Sequence, residues 1–483
     1  MSHRAVGIVL ALLAVLFLAW VLGRAILDRA ATRAVLRFRT RVDRYKLTKK
    51  HAIITALLAD DAIGEAVRTH AQAQGESGAV AWARVRRYLD EIVPFFNILA
   101  YYRLGYVVSR AVLQFFYRVS VDSERPDPFR GLPRDSIILY LMNHRSNADY
   151  VLVAYALAGD VSISYAVGEW ARTFPLETIF KTFGSYFVRR RYREPLYHVV
   201  LERYVQLITR NGVTQGIFPE GGLTRDGTLQ PAKIGLLDYA LGVARDPALR
   251  PRMFVMPVAI NYDRVLEDRS LLRELSARNG GAPPGRLVQL GEVARYAGWN
   301  VVRIVTRRWQ RYGRAAVVVG QPVSVEAWID ALDQQDVSLF ALPRSERLGH
   351  VQRFCDDMMV RIGALVPVTP VSLACAAIQT FPADFIARDQ LLARMEELRG
   401  VLPEVNGRLL RADQDIGEVF ERAYRMLRMR KIIARQGDGF LILSRGRPLV
   451  SYYANSIAHL LGAFAAGVRA RDALPVLAAT GDW

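Results

Sequence analysis

Cysteine is nearly absent from this 483-residue chain. Cys355 and Cys375 are the two present, far apart and outside any metal-ligand spacing, so neither a disulfide framework nor a zinc site is suggested and a reducing compartment fits best. Gly-x-Ser-x-Gly, His-Glu-x-x-His and P-loop patterns are also missing. That withdraws support from the commonest serine-nucleophile, zinc-protease and nucleotide-binding signatures. There is no internal repeat and no low-complexity tract. Acidic residues are few, 46 Asp and Glu against 65 Lys and Arg for a formal net charge of +19, and the surface must carry a field that attracts phosphates or anionic lipid headgroups. Nucleic acid is the rival partner for that charge. With 52% hydrophobic residues the chain is not disordered, and its length predicts more than one structural unit.

Residues 5–23 form a stretch of 19 without a charge, rich in Leu, Val and Ala, which predicts one helix able to cross a hydrocarbon core of about 30 Å. A cleaved signal would place its positive charge before the apolar run, whereas Arg24, Arg29, Arg33, Arg37, Arg39, Arg41 and Arg44 follow it. Positive flanks stay on the cytoplasmic side. The expectation is therefore a single-pass anchor in the cell inner membrane with the rest of the chain cytoplasmic. Residues 24–90 read as basic helices near the membrane face, although the charge can equally be a solvated surface. The aromatic tract 92–116 is broken by Pro94, Asn97, Arg103, Gly105 and Arg110, which predicts an interfacial or buried helix and not a second span.

A turn-rich segment, 122–134, precedes short apolar runs that alternate with helical patterns. Strands are expected at 137–142, 161–167, 186–189, 213–218, 254–261 and 316–319, an α/β arrangement. Beyond about 330 the pattern is mainly helical, with a hairpin or short strand near 437–444.

Four elements carry candidate chemistry. The first is Asn143-His144-Arg145-Ser146-Asn147-Ala148-Asp149, where a buried strand gives way to a helix, the place where α/β proteins put active sites. A neutral imidazole can take a hydroxyl proton, and a carboxylate on its other nitrogen fixes the tautomer. A spacing of five does not make two side chains face each other on one helix, so His144 belongs in the loop and Asp149 in the first turn. Ser146-x-x-Asp149 also reads as a plain capping box, and the two readings are compatible. The second, Gly184 to Arg191, delivers consecutive arginines from a strand; guanidinium forks suit a phosphate, and a basic strand end facing anionic lipid is the alternative. The third is Phe218-Pro219-Glu220-Gly221-Gly222-Leu223-Thr224-Arg225, followed by Lys233. Here Gly221 lets the backbone approach a ligand, Glu220 can hold an acceptor hydroxyl, and Arg225 and Lys233 can neutralise phosphate, though Glu-Gly-Gly is also an ordinary turn. The fourth is the apolar strand Val255-Met256-Pro257-Val258-Ala259-Ile260, an acyl-channel wall or plain core.

In this order and spacing the elements resemble the four sequence blocks of the glycerophospholipid acyltransferase superfamily. The first is similar to the family's His-x-x-x-x-Asp motif, which implies catalytic roles for His144 and Asp149. The second resembles a block ending Phe-Ile-Arg-Arg, putting Gly184 and Arg189 at its positions with Val188 for the isoleucine. The third resembles Phe-Pro-Glu-Gly followed by Arg-Ser-Arg, and Pro257 answers to the proline of the fourth. Leu223 and Thr224 stand where the glycerol-3-phosphate acyltransferases commonly have arginine and serine. The likeness covers about 115–325, and residues 449–461 look like the C-terminal region of the bacterial glycerol-3-phosphate acyltransferases.

The resemblance implies an α/β acyltransferase domain at 121–330 with a mostly parallel central sheet flanked by helices. It follows an anchor (1–30) and a basic helical region (31–120), and precedes a helical C-terminal extension (331–483). It implies transfer of an acyl group from acyl-CoA or acyl carrier protein to the sn-1 hydroxyl of glycerol-3-phosphate, with no cofactor, no metal and no nucleic-acid partner, in contact with membrane lipids. The substrate-binding residues implied are Gly184, Arg189, Glu220, Gly221, Arg225 and Lys233. Lysophosphatidate acyltransferases, which resemble the same blocks in usually shorter chains, are the alternative.

Overall fold

The computed structural model describes residues 50–95, 106–133, 135–157, 163–168, 176–189, 192–278 and 310–479. The apolar run 5–23 and the arginine-rich stretch after it lie outside the described residues, and of the aromatic tract only 92–95 and 106–116 fall within them. Among the described residues no helix is long and apolar enough to cross a membrane.

Two compact units divide the chain, one made of residues 1–111 and 154–204, the other of 112–153 and 205–483. The division follows other lines than the segments read from sequence, since the residues beyond 330 share a unit with His144 and Asp149. The first unit opens with the helices Lys50–Leu58, Asp61–Gln74 and Gly78–Ile92. Asp60 caps the second by accepting the amides of Ala62 and Ile63, and Ser77 caps the third. Each cap satisfies N–H groups that the helix itself leaves without partners.

The strands, in chain order, are β1 (Arg118–Ser123), β2 (Ile137–Met142), β3 (Ser164–Gly168), β4 (Tyr186–Val188), β5 (Gln215–Ile217), β6 (Met253–Tyr262), β7 (Arg314–Val319), β8 (Val323–Ser324), β9 (Phe385–Ala387), β10 (Ile433–Gln436) and β11 (Gly439–Ile442). In the second unit β1, β7, β6, β2 and β5 lie side by side in that order. β2 pairs in parallel with both β5 and β6, and β1 in parallel with β7; β6 pairs antiparallel with β7 and β8. In the first unit β3 and β4 form a parallel pair. The sheet is mostly parallel, as expected. Parallel strands covered on both faces read as unbroken apolar runs, and all six residues of β2, Ile-Ile-Leu-Tyr-Leu-Met, are buried.

All six strands expected between 137 and 319 and the late hairpin fall close to their observed places, while β1 was not among the expected strands and its last two residues, Asp122 and Ser123, overlap the segment read as turn. β1 alternates Arg, Val, Ser, Val, Asp, Ser with Val121 exposed, the pattern of a lightly covered sheet-edge strand, which has no apolar run to reveal it. β9, β10 and β11 form a small antiparallel sheet within the helical C-terminal region. That region centres on the helix Pro370–Gln379, whose residues Pro370 through Ile378 are all buried. Thr369 and Ser372 close a capping box at its start, with Pro370 at the first helical position. Around it pack the helices Arg388–Val401, Ile416–Met429 and Arg447–Asn455.

Asn143 is the last element of the sheet before the site. Its Nδ2 donates to the Ile260 carbonyl at 2.9 Å and its Oδ1 accepts the Ile260 amide at 2.8 Å, so a side chain extends the β2–β6 ladder one rung past Met142. Asn143→Ala is expected to leave both buried backbone groups of Ile260 unsatisfied, at a cost of about 1–3 kcal/mol each. Denaturant unfolding of the two proteins measures it; a difference below about 1 kcal/mol would show that the rung is dispensable.

Candidate active site

β2 and β5 run parallel and adjacent, with Leu141 opposite Ile217, so the residues that leave their ends emerge as neighbours. One end supplies His144 and the other Phe218 and Glu220. The imidazole lies on the Phe218 ring, centroids 4.1 Å apart and planes 25° off parallel, and the Tyr150 ring meets it edge-on at 5.4 Å. Two aromatic faces and 1% exposure leave the ring little freedom to turn.

His144 Nδ1 donates to Asp149 Oδ2 at 3.0 Å, which brings the expected pair together. The same oxygen accepts the backbone amides of Arg145 at 2.7 Å and Ser146 at 3.0 Å. Asp149 Oδ1 accepts the hydroxyl of Tyr262 at 2.6 Å. Asp149 is the first residue of the helix Asp149–Ala156, and Ser146 Oγ accepts the amide of Ala148. One half of the expected capping box is formed, the Asp149 carboxylate accepting the Ser146 amide while the Asp149 amide donates to the Ser146 carbonyl, so the carboxylate at the helix start also orients the imidazole.

Glu220 acts from beneath. Its Oε1 accepts the His144 amide at 2.8 Å and its Oε2 the Gln230 amide at 3.0 Å, while the Thr224 amide donates to the His144 carbonyl at 3.2 Å. Both Glu220 oxygens are thus occupied by backbone, and the side chain staples the histidine loop to the loop 220–230. Burial pushes its carboxyl up to about 7, against the opposing pull of the two amides. Gly221 sits at φ 68°, and a Cβ there would press on the Lys233 side chain at 2.9 Å. Lys233 itself is exposed, its amide donating to the Pro219 carbonyl. Arg225 is half-buried; its Nε pairs with Glu274 at 3.0 Å and its Nη1 reaches the Leu223 carbonyl at 3.4 Å.

Several side chains at this site were not singled out in the sequence. Arg145, almost fully buried, donates to the Gly227 carbonyl and, at 3.2 Å, to Asn261 Oδ1. Asn261 Nδ2 donates to the Pro367 carbonyl at 2.9 Å and to Ser456 Oγ at 3.3 Å. Asn455 donates to the Asp226 carbonyl at 2.9 Å, and a Cβ at Gly227, whose φ is 91°, would overlap the Tyr452 carbonyl oxygen. Glu267 accepts Ser146 Oγ at 2.7 Å and the Asn147 amide at 3.2 Å. These contacts link residues 82 or more positions apart, and no local pattern signals them.

Gly184 and Arg189 belong to the first unit. Gly184 ends the turn after the helix Leu176–Thr182, its amide donating to the Lys181 carbonyl. The Arg189 fork is engaged by Glu91, Nε to Oε1 at 2.8 Å and Nη2 to Oε2 at 2.6 Å. Its guanidinium lies 4.8 Å from the Tyr192 ring centroid and 5.6 Å from that of Tyr88. The bidentate geometry expected toward a phosphate is present, with a carboxylate in the anion's place.

The raised Glu220 carboxyl sets a pH dependence. A folded-state value of about 7 above the ordinary 4.5 means that the folded protein holds the proton more tightly, so the associated stability is complete below about 4.5 and is lost as pH rises through about 7. Glu220→Gln cannot titrate and is expected to lack this decline. Thermal unfolding of both proteins between about pH 5 and 8 checks it; parallel curves would contradict the burial of an ionisable Glu220.

Residues 129–261 match the acyltransferase family, and residues 298–469 match the family described as the glycerol-3-phosphate acyltransferase C-terminal region. The glycerol-3-phosphate acyltransferase of Aeromonas hydrophila is 26% identical over 430 residues, 86% of this chain and 50% of that protein. Its counterpart from Xylella fastidiosa is 23% identical over 433 residues, 87% of this chain and 48% of that protein. The chain spans about half the length of the curated relatives it matches. The crystal structure of the 1-acyl-sn-glycerophosphate acyltransferase from Thermotoga maritima aligns at 17% identity over 50% of this chain and 80% of that chain, with a TM-score of 0.28, too slight an overlap to bear on fold or function. The chain is a homologue of curated glycerol-3-phosphate acyltransferases, carrying an acyltransferase-family segment that contains the His144–Asp149 pair and, after it, their C-terminal region.

Proposed function

We propose that the chain transfers a fatty acyl group from acyl-CoA or acyl carrier protein to the sn-1 hydroxyl of glycerol-3-phosphate, the first step of phospholipid synthesis. The observation that carries this reading is the His144–Asp149 pair, 3.0 Å apart at the end of a buried parallel strand, in a chain homologous to the glycerol-3-phosphate acyltransferases. With Nδ1–H committed to Asp149, Nε2 is the nitrogen that carries the lone pair. It takes the proton of the acceptor hydroxyl as the oxygen attacks the thioester carbonyl carbon. The tetrahedral adduct collapses, the carbon–sulfur bond breaks, and the imidazolium returns its proton to the departing thiolate. Asp149 holds the imidazole and stabilises the imidazolium as it forms. No covalent enzyme intermediate is formed.

Arg225 and Lys233 are the cations of the second unit offered to the substrate phosphate, with Gly221 allowing close approach of the loop. Arg189, in the first unit, has its fork engaged by Glu91. Glu220 serves by holding the histidine loop. The uncharged stretch 5–23 with its trailing arginines supports a single inner-membrane anchor, with the catalytic part on the cytoplasmic side beside membrane lipids.

His144→Ala is expected to lower acyl transfer by about 10² to 10⁴-fold in protein that still unfolds cooperatively. Asp149→Asn is expected to be comparably impaired; normal turnover with reduced thermal stability would reduce Asp149 to a helix cap. Arg225→Ala is expected to raise the glycerol-3-phosphate KM by roughly ten- to hundredfold and leave the acyl-donor KM near its original value. Equal effects on both KM values would remove Arg225 from the phosphate site.

A further inference from the structure

We propose that Tyr262 is a positioning residue for this reaction, its hydroxyl fixing the Asp149 carboxylate that orients His144. The inference rests on the acyltransferase reading of the pair. Three N–H donors, from His144, Arg145 and Ser146, converge on Asp149 Oδ2, all from one short loop. Oδ1 receives the Tyr262 hydroxyl at 2.6 Å, from a different element, the last residue of β6. Without it the carboxylate could pivot about the bond to its own helix. With it, the carboxylate plane is tied to the sheet, whose β2–β6 register is carried past Met142 by Asn143 and Ile260.

The tyrosine is itself held. It is 1% exposed, and its ring packs against Tyr117 with centroids 5.4 Å apart, while the Tyr117 hydroxyl donates to the Arg264 carbonyl at 2.8 Å. Burial keeps the Tyr262 phenol well above its ordinary value, so it remains a donor at any pH where the protein works.

A donor on a carboxylate lowers its affinity for a proton, and a less basic Asp149 stabilises the His144 imidazolium less. Loss of the Tyr262 hydroxyl should therefore raise the proton affinity of His144 as well as loosen it. Glu267 and Tyr117 also act electrostatically on Tyr262, and Glu220, Glu267 and Tyr452 each feel the Asp149 charge. They are unchanged in a Tyr262 variant, so the shift between enzymes, and not the position of any one limb, reports the tyrosine.

The test is the pH profile of kcat for wild type, Tyr262→Phe, and protein carrying 3-fluorotyrosine at position 262, with His144→Ala as reference. Tyr262→Phe is expected to lower kcat roughly tenfold or more, to change the acceptor KM little, and to move the acid limb to higher pH by about half a unit or more. Fluorotyrosine keeps the ring and the hydroxyl but donates more strongly, and it is expected to move the acid limb to lower pH. If Tyr262→Phe does not fold, the fluorotyrosine arm decides alone. Acid limbs that coincide with wild type in the folded variants, while His144→Ala is inactive, overturn the role of Tyr262 and leave the acyltransferase reading standing. Wild-type turnover by His144→Ala overturns both.

Discussion

The Asp149 carboxylate accepts four hydrogen bonds, and the shape of the site follows from satisfying both of its oxygens. Two of its donors are backbone amides of the residues just after His144, so the loop can take this conformation only around the anion. Charge-assisted bonds of this kind are worth about 1.5–3 kcal/mol each. Such a carboxylate cannot be assigned to helix capping or to chemistry as separate jobs. The geometry that begins the helix is the geometry that presents the imidazole, and Phe218 and Tyr150 then fix the plane of the ring.

The C-terminal helices reach this centre through polar contacts more than through sequence nearness. Asn261, next to Tyr262, binds Arg145 on one side and Pro367 and Ser456 on the other. Asn455 and the Tyr452 carbonyl bound the turn at Asp226 and Gly227, which belongs to the same loop as Arg225. Tyr453 donates to Asp268, which also pairs with Arg430. A segment resembling the C-terminal region of glycerol-3-phosphate acyltransferases thus shapes the loop that carries the proposed phosphate cations.

Much of the fold was legible because its physics is local. β2 and β6 are apolar runs that only a strand buried on both faces would need; the end of β2 located His144, and Pro257 lies within β6. β1 was not legible, because a sheet-edge strand with alternating short side chains has no such run. The His144–Asp149 pair could be read from a spacing that spans a loop and a helix start. Glu220 was found as a residue, but its contacts were not, since only the parallel pairing of β2 with β5 reveals that the His144 amide stands above it. Arg189 was found as a fork, but its partner Glu91 lies 98 positions earlier. Tyr262 and Glu267 escaped altogether, because a tyrosine at a strand end and a glutamate before a helix are ordinary choices locally. Their importance arises only when β6 is laid beside β2.

The proposed histidine-assisted acyl transfer to glycerol-3-phosphate can be followed by incubating the purified full chain in detergent with labelled palmitoyl-CoA and, separately, glycerol-3-phosphate, lysophosphatidate or dihydroxyacetone phosphate, and identifying the labelled product. The expected main product is 1-acylglycerol-3-phosphate, formed from glycerol-3-phosphate at the highest kcat/KM of the three acceptors. Preferential labelling of lysophosphatidate, or release of free palmitate with no acceptor labelled, would contradict it.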